Sequence, residues 1–332
     1  MRRLVAPICA LVVVGLPILD GQVARAAETG VIKGRVINET TGQPQGDVQL
    51  ALTSGTDDGD SAVVARTRTG PDGRYVFDDL STGDDRFYAL DAHFQDGYFA
   101  GQPIPLPADT DKKPIVTSTM RVWDTTSEPG VIAISRDDMF VVTSEDGVGV
   151  IESVTIVNTG DKAYIGRGAE MVGDQASGAS FAFALPSGSG GFGIIDSTID
   201  VPEVIPVDQG VAATIAIPPG ENRITFSYQV AGSGTSSDLS RTALYPTLEM
   251  SIYAAEPLEI RSNRLVQGKS VPIEGKTYRR WSADETVEAG DSLQALAVAG
   301  GSAPLWPLIA AGLAVVAAIG LVAIRATRNS DR

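Results

Sequence analysis

The stretch Leu305–Ile324, LWPLIAAGLAVVAAIGLVAI, limits what this chain can fold into more than any other. It is a run of 20 residues without a charge. Wound as a helix at about 1.5 Å per residue it spans about 30 Å, the thickness of a bilayer's hydrocarbon core. Arg325, Arg328 and Arg332 follow it. Basic residues beside a span stay on the cytoplasmic side. The expectation is a single transmembrane helix over 305–324, a short linker over 300–304 before it, and a cytoplasmic tail over 325–332. Everything upstream is then expected to fold outside the cytoplasm, as in a single-pass type I protein of the cell membrane.

The other end agrees with that topology. Arg2 and Arg3 precede a mostly apolar run, Leu4–Leu19, and Ala24-Arg25-Ala26 has the small-x-small form of a cleavage site. Residues 1–26 therefore read as a secretory signal peptide cut after Ala26. The one cysteine, Cys9, lies inside that signal. The mature chain is expected to have no disulfide, thiolate metal site or cysteine nucleophile. A chain of this length buries enough apolar surface to do without cross-links. The net charge is −15, and the arginines at the two ends hide an outer portion that is more negative still. Such a field repels phosphate backbones, so nucleic acid is not an expected partner. Arginine far outnumbers lysine, and alanine, glycine and valine are abundant, as in proteins from GC-rich bacterial genomes.

From residue 27 to about 123 the pattern is one of short alternating strands. Val31–Ile37 reads as a strand, and Asn38–Gly46 as a turn cluster. Val48, Leu50 and Leu52 then fall on one face, with Gln49 and Ala51 on the other. Thr69-Gly70-Pro71-Asp72-Gly73 is a turn, because proline presets φ and Asp-Gly closes the corner. Arg74–Phe77 resumes a strand with Tyr75 and Phe77 expected inward. No helical period interrupts, which indicates a β-sandwich.

The set Gly34-x-Val36, Thr41-Gly42-x-Pro44, Val48-x-Leu50 and Thr69-x-x-Asp72-Gly73-x-Tyr75-x-Phe77-x-x-Leu80 resembles the carboxypeptidase regulatory-like domain. The resemblance covers about 50 residues and implies a small Greek-key sandwich of the prealbumin (transthyretin) type. In that reading Gly34, Gly42, Pro44, Asp72, Gly73, Tyr75 and Phe77 are structural. Ser81–Asp85 departs from the family pattern, which puts strand register there in doubt. The family marks a fold rather than an activity. Its zinc peptidase relatives need at least two histidines on the metal, and this chain has one, His93. His93 reads as an ordinary sheet-surface residue. A lysine–asparagine crosslink of the pilin type is rejected, since Lys33 finds no asparagine in the candidate last strand, Ile115–Trp123.

Asp124–Gly130 reads as a linker, and residues 124–299 as a second β-sandwich. Met139–Thr143 and Gly149–Val157 form an expected hairpin about Glu145-Asp146-Gly147. Val150, Glu152, Val154 and Ile156 share one face of its second strand. Ser180–Leu185, Val211–Ile217, Asn222–Val230, Thr247–Ala254 and Ser292–Val298 continue the pattern. Pro186–Gly193 and Ala231–Ser237 read as glycine- and serine-rich loops. Arg279-Arg280-Trp281 is the one cationic-aromatic cluster, read as a strand end covering apolar neighbours.

The expected fold is thus all-β: two tandem sandwiches followed by one C-terminal transmembrane helix. No residues are assigned to catalysis, cofactor or metal. A hydrolytic triad normally places a histidine beside the nucleophile, and His93 stands alone. The acidic loops Asp57–Asp60, Asp78-Asp79 and Asp84-Asp85 match no defined calcium loop and read as solvated turns. The expected function is a non-catalytic binding or structural role on the outer face of the membrane. The partner is an unidentified protein or a surface glycan, and a carbohydrate-binding surface protein is the alternative. An enzyme of unrecognised type is a third reading.

Overall fold

A computed structural model describes residues 29–299, apart from 57–60, 109–112, 167–178, 200, 202–203, 208–209, 234 and 274. The anchor bounded by Leu305 and Ile324 and the cleavage residues Ala24 and Ala26 lie outside the described residues. Among the described residues there is no α-helix, and no helix long and apolar enough to cross a membrane.

Nine strands build the first half: β1 (Thr29–Asn38), β2 (Gln43–Pro44), β3 (Gln49–Thr56), β4 (Ser61–Arg68), β5 (Arg74–Ser81), β6 (Arg86–Phe94), β7 (Gly97–Ala100), β8 (Ile104–Pro105) and β9 (Ile115–Val122). They form two sheets. In one, β1 is central, antiparallel to β2 and β5 on one edge and parallel to β9 on the other. The other runs β4-β3-β6-β7, with β8 beside β6. Period-two alternation turns Ile32 and Val36 of β1, Tyr75 and Phe77 of β5, Leu50 and Leu52 of β3 and Tyr88 and Leu90 of β6 into one buried cluster between the sheets. At roughly 1.5–3 kcal/mol for each large apolar side chain, that cluster holds the sandwich without a disulfide.

The motif residues fit together here. Gly34 faces Tyr75 on β5 and Ser118 on β9. A Cβ at Gly34 would sit 1.7 Å from the Ser118 carbonyl oxygen and 2.7 Å from the Tyr75 hydroxyl. The missing side chain lets Tyr75 reach across β1 and donate to that carbonyl at 2.7 Å. Gly73 closes the turn before β5 at φ +76°, where a Cβ would meet the Val36 carbonyl at 2.7 Å.

The second half opens with β10 (Thr125–Thr126) and a 3-10 turn over Pro129–Val131, so the expected linker carries structure of its own. There follow β11 (Ile132–Ser144), β12 (Gly147–Asn158), β13 (Ala163–Tyr164), β14 (Phe181–Ala184), β15 (Ser189–Ser197), β16 (Val204–Val207), β17 (Gly210–Ala213), β18 (Gly220–Ser233), β19 (Ser236–Asp238) and β20 (Arg241–Thr242). The rest are β21 (Thr247–Ala255), β22 (Leu258–Ser262), β23 (Leu265–Gln267), β24 (Val271–Ile273), β25 (Lys276–Ala283), β26 (Ser292–Leu293) and β27 (Ala295–Ala299). An eleven-stranded sheet runs β22-β27-β19-β18-β12-β11-β21-β25-β23, with β15 on β18 and β24 on β25. Only β11 and β21 pair in parallel within it. The β11–β12 hairpin forms as expected, with Gly147 at φ +152°. The inner face of this sheet packs Met139, Val150, Val154, Phe226, Ile252 and Trp281 with Phe181, Phe183, Ile217 and Tyr245 in a second buried cluster. The described residues are all-β and sandwich-like in both halves.

Two expected loops are strand instead. Ser189–Ser197 pairs with β18 through two register shifts, between Gly190 and Gly193 and between Ile194 and Asp196. Those bulges break the alternation that would have marked it. Most of Ala231–Ser237 is strand too: β18 runs on to Ser233 and pairs with β19, which begins at Ser236. Arg279-Arg280-Trp281 lies within β25 rather than at its end.

Candidate functional site

Four side chains meet inside the second half. Asp137 comes from β11, Glu152 from β12, Tyr228 from β18 and Arg241 from β20. Alternation places the first three on the core face. Glu152 sits in the row Val150–Glu152–Val154, and Tyr228 is its neighbour across two residues of β18, where Phe226 is paired with Glu152 itself. Arg241 donates from Nη1 to both Glu152 oxygens at 2.7 and 2.9 Å, and to the Ala184 carbonyl at 3.3 Å. Its Nη2 donates to Asp137 Oδ2 at 2.6 Å. The Tyr228 hydroxyl donates to Glu152 Oε2 at 2.7 Å. The charged side chains are only 3–7% exposed.

Burial governs the electrostatics. It pushes the Asp137 carboxyl well above the usual carboxylate range; the Glu152 charge adds to the rise and Arg241 opposes it. Burial also holds the Tyr228 phenol well above its ordinary value, reinforced by Glu152. For Arg241 burial acts downward, but Glu152 and Asp137 outweigh it and raise the pKa, so the guanidinium is always charged. Two carboxyls and one guanidinium balance when Asp137 keeps its proton. Asp137 Oδ1, the oxygen Arg241 does not reach, has no hydrogen-bond partner among the described residues. A cavity of about 40 Å³ lined by Asp137, Glu152, Phe183, Arg241 and Tyr245 adjoins it. That space admits a few waters at about 10–15 Å³ each, and no sugar or peptide. The arrangement is a charged strut joining β11, β12, β18 and β20.

The residues singled out in the sequence lie elsewhere. Gly34, Gly42, Pro44, Asp72, Gly73, Tyr75 and Phe77 sit in the first half. Gly42 takes φ +68° in the β1–β2 turn, and Pro44 pairs with Ile37. Asp72 accepts from the Arg74 amide at 3.2 Å, which shapes the turn. His93 is exposed on β6, edge-on to Tyr98 at 5.1 Å between ring centres. Asp57–Asp60 lie outside the described residues, and Asp79 pairs with Lys113 at 3.3 Å. Among the described residues no group of three or more His, Cys, Asp or Glu is placed to hold a metal. Of the strut, the sequence signalled only Glu152, as a charge within a row of core-facing β-branched residues. Arg241, 89 residues on, carried no local mark.

No protein-family model matches the chain, and no curated protein matches it. Among solved structures, the major pilin SpaD from Corynebacterium diphtheriae is 13% identical, with 80% of this chain and 81% of that one covered and a TM-score of 0.23. An M1 zinc metallopeptidase from Deinococcus radiodurans is 8% identical over 50% of this chain and 42% of that one, at a TM-score of 0.31. A 9R-lipoxygenase from Cyanothece PCC8801 is 12% identical over 29% and 16%, at 0.22. The chain spans less than half the length of the last two. Likeness at these scores assigns neither family nor activity.

Proposed function

We propose that this chain is an exported, single-pass membrane protein of the bacterial cell surface. It displays two β-sandwiches outside the membrane and acts as a non-catalytic binding or structural module. The first half is assigned to the carboxypeptidase regulatory-like class. The observation that carries the reading is the order of parts: an apolar signal, an acidic β-region without cysteine, and an uncharged 20-residue run followed by arginines. The joint locking of Gly34, Tyr75 and Ser118 supports the class of the first half, because it gives two of its motif residues a shared physical role. The buried strut supports a mechanical role for the second half's charges. Protease added to intact spheroplasts should digest residues 27–304 and leave the 325–332 tail protected. Protection of the β-region instead overturns the topology. Crosslinking of the native membrane protein should then capture an extracytoplasmic partner.

A further inference from the structure

The solvent face of the large sheet carries side chains that strand register sets in rows. One row crosses seven strands: Asp196 (β15), Thr225 (β18), Ser153 (β12), Asp138 (β11), Ser251 (β21), Ser282 (β25) and Val266 (β23). The next row holds Ile151, Phe140, Tyr253 and Arg280. On the other side lie Thr155, Arg136 and Glu249. Short side chains between longer ones make a trough, and Thr225, Ser153 and Ser251 are buried on its floor. From Thr225 to Ser282, at about 4.8 Å per strand, it runs for about 19 Å.

The floor is hydrogen-bonded within itself, except at its centre. Thr225 donates to Ser153 at 3.2 Å, and Arg280 donates to Ser251 at 3.1 Å. Arg136 turns to Glu249 at 2.9 Å. Asp138 feels Arg136 and Arg280 only through space, and no described residue donates a hydrogen bond to it. Beside it Phe140 and Tyr253 stack at 4.8 Å and 10°, and Arg280 covers Tyr253 with its guanidinium 5.8 Å from the ring centre. Asp138, Glu249 and Asp196 balance Arg136, Arg280 and Arg223, which pairs with Asp196 at 3.3 Å, so the trough selects neither a polyanion nor a polycation. An extended peptide would be taken by backbone pairing at a sheet edge, not across a face of side chains. The floor hydroxyls are buried and already paired, which leaves Asp138 as the free acceptor; a half-buried carboxylate that lacks donors, beside an apolar wall, matches a neutral polyol.

We propose that this trough binds a neutral oligosaccharide chain lying across the strands, with Asp138 accepting hydrogen bonds from sugar hydroxyls and Phe140 and Tyr253 as the apolar wall. The proposal rests on the reading of the chain as a surface binding module. Full-length protein, in a detergent without sugar headgroups, is titrated calorimetrically with six-residue glucose-, mannose- and N-acetylglucosamine-based chains. At least one should bind. Asp138→Ala should weaken it about ten-fold or more, as the loss of hydrogen bonds to a charged group does. Ser282→Ala at the trough's end should weaken it less, and Asp84→Asn in the first half should leave it unchanged. Asp138→Asn should fold at least as stably as the parent and still bind weakly, which separates lost binding from lost structure. Failure of all three sugar series, indifference to Asp138→Ala, or, in a parallel titration with a sulfated chain, binding of the sulfated chain alone overturns the proposal. Those outcomes leave the surface-anchor reading standing, since protease protection tests it separately.

Discussion

At the scale of single residues, the molecule's costs sit at three places. Gly34 is fixed by contact, because any Cβ there collides with the Ser118 carbonyl and the Tyr75 hydroxyl. Gly34→Ala should destabilise the first half by about 3 kcal/mol or more, read as a loss of denaturation midpoint. Tyr75→Phe removes only the hydrogen bond, and about 1–2 kcal/mol with it. Arg241 bonds two buried carboxyls at once and neutralises the charged one, Glu152. Arg241→Ala strands them and should cost about 3–5 kcal/mol in urea melts, whereas Tyr228→Phe should cost about 1–2 kcal/mol. Asp138 works the other way. Burial raises its carboxyl from the usual range to about 6, against the pull of Arg136 and Arg280. A raised folded-state pKa gives stability that is present in full below the unfolded value, near 4, and lost as pH rises through about 6. The Asp138→Asn variant should therefore be more stable than the parent at pH 7, by up to about 2 kcal/mol. Its lead should vanish near pH 4. A parent and variant with parallel pH profiles would show that Asp138 is not strained by burial. A residue that weakens the fold at neutral pH is what a ligand site tends to retain.

At the scale of elements, legibility followed local pattern. The rows Val48–Leu50–Leu52 and Val150–Glu152–Val154–Ile156 could be read because each strand alternates without a break, and all these residues are buried. The turn at Gly73 could be read because its chemistry lies in five adjacent residues. β15 could not, since two bulges and a run of glycines erase its period. The strut and the polar row were illegible for a different reason. Both arise from register between strands far apart in sequence, and the parallel pairing of β11 with β21 brings Asp138 beside Ser251. Nothing local in either strand announces that partnership. The edge strand β4 offers a test of how far exposure predicts tolerance. Val63 and Val64 are 44% and 51% exposed, and among the described residues β4 pairs only with β3. Val64→Lys should leave stability within about 0.5 kcal/mol and reduce self-association of the protein, because a charge blocks edge-to-edge pairing. Precipitation or a large loss of midpoint would mean that β4 is covered in solution.

At the scale of the whole molecule, the two halves are stitched rather than strung. Asp124, at the start of the expected linker, accepts from Asn38 at 2.9 Å and from Gln95 at 3.1 Å, both in the first half. Its carbonyl accepts from the Ala163 amide at 2.8 Å in the second. Thr40 donates to the Asp161 carbonyl at 3.1 Å, and the Ala216 amide donates to the Tyr98 carbonyl at 3.1 Å. Ala163 and Ala216 belong to the buried cluster of the first half although the second half supplies them. Asn38 is itself 2% exposed, its amide held in the joint by Asp124. Shared core and shared hydrogen bonds couple the unfolding of neighbouring units. The protein should therefore melt in one calorimetric transition. Asp124→Ala takes away the acceptor for two side-chain donors and leaves the backbone pairing in place. It should cost about 1–3 kcal/mol and, by weakening the joint more than either core, split the melt into two steps. A parent that already melts in two steps, or a variant whose single transition is unmoved, would show the joint to be a passive tether. A stiff joint matters for a surface module, because it fixes the direction in which the trough on the second half faces relative to the first.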